Sequence, residues 1–162
     1  MMRRRRLLIG TAVGVAGASL THAWVAPADS ETFEVARPGA EWRKLLTPDR
    51  FAVVRASATE RPFTSPLLHE KRRGNFACAG CDLNLFSSTT KFESATGSPS
   101  FWAPLDGAVG RTKDTSFGML GTAVHRSRCG SHLGHVFNDG PEPTGLRYCM
   151  NGVALTFKLI TV

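Results

Sequence analysis

A chain of 162 residues has room for one domain of ordinary size around a single hydrophobic core. Hydrophobic residues at 42% and charged residues at 20% exclude disorder as the default state. The formal net charge is +7, but Arg3 to Arg6 supply four of those charges in a stretch without an acid; the remaining +3 is too mild, with no binding motif, to argue for nucleic acid.

Residues 1–28 have the build of an export signal. A basic run (Arg3 to Arg6) precedes an apolar stretch from Leu7 to Leu20, and small residues follow. Arg4-Arg5-Arg6-Leu7-Leu8 suits a twin-arginine-like signal, and Ala26-Pro27-Ala28 or Thr21-His22-Ala23 offers a cleavage site. The apolar run is short and glycine-rich for a membrane span, which needs about 20 residues. The expectation is an exported domain, cleaved or N-terminally anchored, working in a bacterial periplasm. Residues 29–40, polar and containing Pro38 and Gly39, read as a linker to a domain over 41–162.

Glu41 to Leu46, apolar at 42, 45 and 46, predicts a short helix. Thr47-Pro48 begins a second, with Thr47 as N-cap and Pro48 in the first turn. Thr59-Glu60-Arg61-Pro62-Phe63 breaks it. From Gly74 onward short alternating runs are separated by Gly, Pro, Ser and Asp. Asn75–Cys78, Leu83–Phe86, Leu120–His125, His135–Phe137 and Gly152–Leu159 are predicted strands. No long periodic helix follows residue 70, so the fold class is mainly β and antiparallel, with N-terminal helices.

Chemistry concentrates between His125 and Cys149, where Cys129, His132, His135, Asp139 and Arg147 also lie. Burying so many reactive groups without purpose costs stability. Arg147 shares a strand face with Cys149, two residues away, which favours the thiolate. His132 and His135 are candidates for proton transfer, with metal binding alongside Asp139 as the runner-up. Cys78-Ala79-Gly80-Cys81 is a knuckle that offers two thiolates to a zinc ion. Cys129 adds a third, and the position three before it is Arg126, which cannot ligate. His125 is then the candidate fourth ligand. The alternatives are a disulfide joining Cys78 or Cys81 to Cys129, or a redox pair.

Several blocks together resemble the methionine-R-sulfoxide reductases, the MsrB or SelR domain family. They are Thr59-Glu60-x-Pro62-Phe63, the Cys78–Cys81 knuckle, Leu85-Phe86-Ser87-Ser88, His132-Leu133-Gly134-His135-Val136-Phe137, Arg147-Tyr148-Cys149-x-Asn151 and Leu155-x-Phe157. The resemblance implies two antiparallel sheets with short N-terminal helices, and reduction of the R epimer of methionine sulfoxide in proteins or as the free amino acid. It assigns Cys149 as nucleophile, with His132, His135, Asp139, Arg147 and Asn151 shaping the site and handling protons. The chemistry needs no cofactor. A thioredoxin-like protein would return the electrons, and nothing demands more than a monomer.

Three departures stand out. Where many members read Gly-Trp-Pro-Ser-Phe, this chain has Gly97-Ser98-Pro99-Ser100-Phe101, so the aromatic wall is missing and Trp102 and Phe137 become the candidates for it. Thr96 stands where some members carry a resolving cysteine, which leaves Cys78, Cys81, Cys129 or an external thiol for that step. Ala95 replaces a glycine. A catalytically weakened module that binds a metal or a partner is the alternative function.

Overall fold

The computed structural model describes residues 32–114 and 121–161; the predicted export signal lies outside them. Helix α1 (Gly39–Leu45) starts two residues earlier than predicted and buries Trp42, with the Arg55 guanidinium 5.0 Å above its ring. Helix α2 (Pro48–Ala56) begins as the sequence predicts: Thr47 accepts the Arg50 amide at 3.4 Å, a cap that contributes about 1 kcal/mol. It stops at Ser57, which turns left-handed (φ 54°), and buries Val53 and Val54.

Among the described residues nine strands follow, all paired antiparallel: β1 (Gly74–Cys78), β2 (Asn84–Ser87), β3 (Lys91–Phe92), β4 (Ser100–Phe101), β5 (Val109–Asp114), β6 (Gly121–Arg126), β7 (His132–Phe137), β8 (Arg147–Met150) and β9 (Leu155–Leu159). They form a three-stranded sheet ordered β2-β1-β9 and a six-stranded sheet ordered β3-β4-β8-β7-β6-β5. The mainly β, two-sheet expectation holds. The predicted strand at Gly152–Leu159 is shorter, because Gly152–Ala154 is a 3₁₀ turn that leads into β9.

The core lies between the sheets and is aromatic. Phe86 stacks on Phe101 at 4.3 Å, and Phe76 meets the same ring edge-on at 4.9 Å. Each such pair contributes about 1 kcal/mol beyond its buried area. Tyr148 and Met150 of β8 are buried. Since neighbours along a strand alternate faces, Arg147 and Cys149 must point the other way. Helix α2 lies against β7 and the turn Gly152–Ala154.

Within the stretch 29–40 read as a linker, residues 33–35 contact β6 and the turn before β7. Phe33 packs edge-on against His125 at 5.8 Å, Val35 donates its amide to the Arg128 carbonyl at 2.8 Å, and Glu34 pairs with the Arg128 guanidinium. An apolar ring and an ion pair inside a polar stretch lay these residues on the domain.

Candidate active site

Strand β8 sits between β4 and β7, with Cys149 opposite Ser100 on one side and His135 on the other. Residues directly opposite in an antiparallel pair share a face. Ser100, Cys149 and His135 therefore form one row across the sheet, with Arg147 and Phe137 in the next. Gly134 permits the close approach of β7, since a Cβ there would collide with the Cys149 carbonyl.

Arg147 donates both sides of its fork to Asp139, at 2.9 and 2.8 Å, and lies 4.4 Å over the Phe137 ring. Asp139 holds the guanidinium charged first, and the Cys149 sulfur adds to that in smaller measure. The same bond keeps the Asp139 carboxyl below its ordinary range. Asp139 thus positions Arg147 beside the thiol.

The two histidines differ in kind. His135 Nε2 lies 2.7 Å from the Asp114 carboxylate, which orients the ring. His132 is buried, and burial first, then the neighbouring His135, lowers its pKa to about 4. A bulge opposite Val124 and His125 brings the rings to 5.5 Å. His132 is therefore neutral near pH 7, and His135 is the ring held by a carboxylate. The runner-up metal site of two histidines and Asp139 does not assemble, since Asp139 faces Arg147 and His135 faces Asp114.

Asn151 is buried and fully engaged: Oδ1 accepts the Glu60 amide at 2.9 Å and Nδ2 donates to the Leu133 carbonyl at 3.1 Å. It fixes the turn after Cys149. Phe137, 42% exposed, lies beside Arg147, whereas Trp102 lines a separate cleft with Tyr148 and Leu146.

Sequence reasoning missed Asp114, whose partner is two strands away, and named Glu60 only within a motif, without its contact: the carboxylate accepts the Gly152 amide at 2.6 Å. It also missed what Thr96 does. Its hydroxyl lies 3.6 Å from Cys149 Sγ and 2.9 Å from Ser94, which in turn bonds Ser100 at 2.7 Å.

A second centre lies elsewhere. The sulfurs of Cys78, Cys81 and Cys129 all fall within 4.8 Å of one another, and Cys149 and His125 are not in the group. The 3.9 Å between Cys78 and Cys129 is near the edge of a tetrahedral zinc–thiolate centre, about 3.8 Å for 2.3 Å bonds. Gly80 donates its amide to Cys78 Sγ at 3.3 Å, as a metal knuckle requires. Hydrogen bonds from Cys129 and Cys78, with a further one from Arg126, lower the Cys81 thiol. The three thiols fit a thiophilic metal. Among the described residues its fourth position has no protein ligand, because buried Arg126 donates to the Ala108 carbonyl.

Cys149 thus shares a sheet face with a histidine oriented by Asp114 and an arginine fixed by Asp139. Residues 46–159 match the SelR domain, and the chain belongs to that family. It is 56% identical over 119 residues to the peptide methionine sulfoxide reductase MsrB of Pseudomonas putida (strain W619), covering 73% of this chain and 90% of that relative. It is 49% identical over 127 residues to the protein of the same name from Leptospira interrogans, covering 78% and 97%. The corresponding protein of Methanosarcina barkeri is 55% identical over 119 residues, covering 73% and 84%.

Proposed function

We propose that the protein is a peptide-methionine (R)-S-oxide reductase with Cys149 as its nucleophile. The observation that carries this reading is the row Ser100–Cys149–His135, with Arg147 and Asp114 placed to hold charge on either side. The Cys149 thiolate attacks the sulfoxide sulfur while His135, oriented by Asp114, delivers a proton to the oxygen. Oxygen passes to Cys149, which becomes a sulfenic acid, and methionine leaves as the reduced thioether. Cysteine sulfur is oxidised by two electrons and the substrate sulfur reduced by two.

Regeneration falls to an external dithiol of the thioredoxin type. Thr96, whose side chain lies against Cys149 Sγ, is not a thiol, and the remaining cysteines form their own cluster. The first external thiol forms a mixed disulfide with Cys149 and releases water; the second displaces Cys149. Cys78, Cys81 and Cys129 would hold a structural zinc that braces β1 against the turn before β7. The basic and apolar segments of residues 1–28 support an exported, periplasmic enzyme, and no feature of the described residues calls for more than a monomer.

The test is turnover of separated R and S epimers of a methionine-sulfoxide substrate with dithiothreitol, alongside the zinc content of the same sample. R-selective turnover that Cys149→Ser abolishes supports the reading. A folded sample that turns over neither epimer leaves the binding-module reading in its place.

A further inference from the structure

Phe63 carries two local penalties that the packing of the fold does not offset. It is 69% exposed, the most of the exposed large hydrophobic residues described. Its backbone is left-handed (φ 65°), a region that bulky side chains rarely occupy and that persists only where the surroundings enforce it. The enforcement is visible. The Phe63 amide donates to the Gly97 carbonyl at 2.8 Å, and a Cβ at Gly97 would come within 2.7 Å of Pro62 and 2.9 Å of the Phe63 ring. A strained, exposed aromatic ring clamped onto a glycine is a feature to explain by function.

Its location supplies the explanation. Gly97 follows Thr96, whose hydroxyl lies 3.6 Å from Cys149 Sγ, so the ring is anchored one residue from the nucleophile's neighbour. The same strap is tied to the other side of Cys149. Glu60 donates its amide to Asn151 Oδ1 at 2.9 Å and accepts the Gly152 amide at 2.6 Å. Thr96 against the sulfur, and Ser100, His135 and Arg147 on its sheet face, are polar. A methionine sulfoxide carries a methyl group and two methylenes that need an apolar surface. Phe137 is already covered on one side by the Arg147 guanidinium, and Phe101 is buried in the core.

We propose that the exposed ring of Phe63 is the apolar wall of the substrate cleft, contacting the S-methyl group and side-chain methylenes of the sulfoxide while Cys149 attacks its sulfur. This rests on the reductase reading given above. The ring sets affinity and leaves the chemical step to Cys149 and His135.

The experiment compares wild type, Phe63→Leu and Phe63→Gly in steady-state turnover of the R epimer with dithiothreitol, and records the thermal midpoint of each. Glycine suits a left-handed backbone, so Phe63→Gly removes the ring without straining the strap. The expected result is KM raised about tenfold in Phe63→Gly, the order of one lost aromatic contact, with kcat within about twofold and the midpoint unchanged or raised. Phe63→Leu, which keeps an apolar surface, should fall between. KM unmoved in both variants, or a fall in kcat alone, overturns the assignment of Phe63 while leaving the reductase intact. A wild-type protein without turnover overturns both.

Discussion

Burial of His132 makes acid stability the sharpest quantity to measure. Its pKa of about 4 in the folded chain lies below the ordinary 6.5, so the folded state resists taking the proton. For a depressed pKa, the stability is fully present above 6.5 and is lost as pH falls toward 4. Each tenfold difference in proton affinity between folded and unfolded chain is worth about 1.36 kcal/mol, so the loss is about 2 kcal/mol between pH 8 and pH 5 and about 3 kcal/mol by pH 4. In a domain of this size that is a drop of roughly 5 to 10 °C in thermal midpoint. The assay is urea unfolding at pH 8, 6, 5 and 4 for wild type and His132→Leu, read as the difference in slope against pH. Exposed carboxylates held low by partners, such as Asp139, titrate in both proteins and cancel. If His132→Leu loses stability with pH as steeply as wild type, burial does not keep the ring neutral, and the assignment of the proton to His135 alone loses its basis.

Three further perturbations follow from the geometry. Thr96→Cys should place a thiol against Cys149 and, after one turnover without reductant, give an intramolecular disulfide with release of water, read as loss of two free thiols; loss of only one, with Cys149 left as the sulfenic acid, would show that the loop cannot bring the two sulfurs together. Asp114→Asn should lower kcat about 100-fold, the low end of a positioned general acid, whereas an unchanged kcat would remove the Asp114–His135 pair from proton transfer. Ala95→Gly should raise unfolding free energy by about 1 kcal/mol, because Ala95 sits at φ 59° where glycine is unstrained, and a destabilised variant would mean that its methyl group is needed.

What the sequence disclosed was the part written locally. The Thr47-Pro48 start of α2 and the Arg147-x-Cys149 spacing both act through neighbours on the same element, so their geometry follows from residue type. Asp114 could not be read this way. It reaches His135 only through the β5–β6 and β6–β7 registers, and a residue outside every predicted strand carries no mark of what lies two strands over. The short strands β3 and β4 have two residues each, too few for a period to show; β4 exists because β8 offers it an edge, and β3 because β4 does. Arg126 was legible as a non-ligand, and its burial beside three thiols was not.

The bonds from Glu60 to Asn151 and Gly152 join positions 91 and 92 residues apart along the chain. That clasp ties the start of the connection to β1 beside the turn after Cys149, and the same connection is pinned again where Ser65 and Leu68 are buried and Lys91 donates to the Leu68 carbonyl at 2.6 Å. A change of Glu60 itself would register as a catalytic defect in a residue that performs no chemistry.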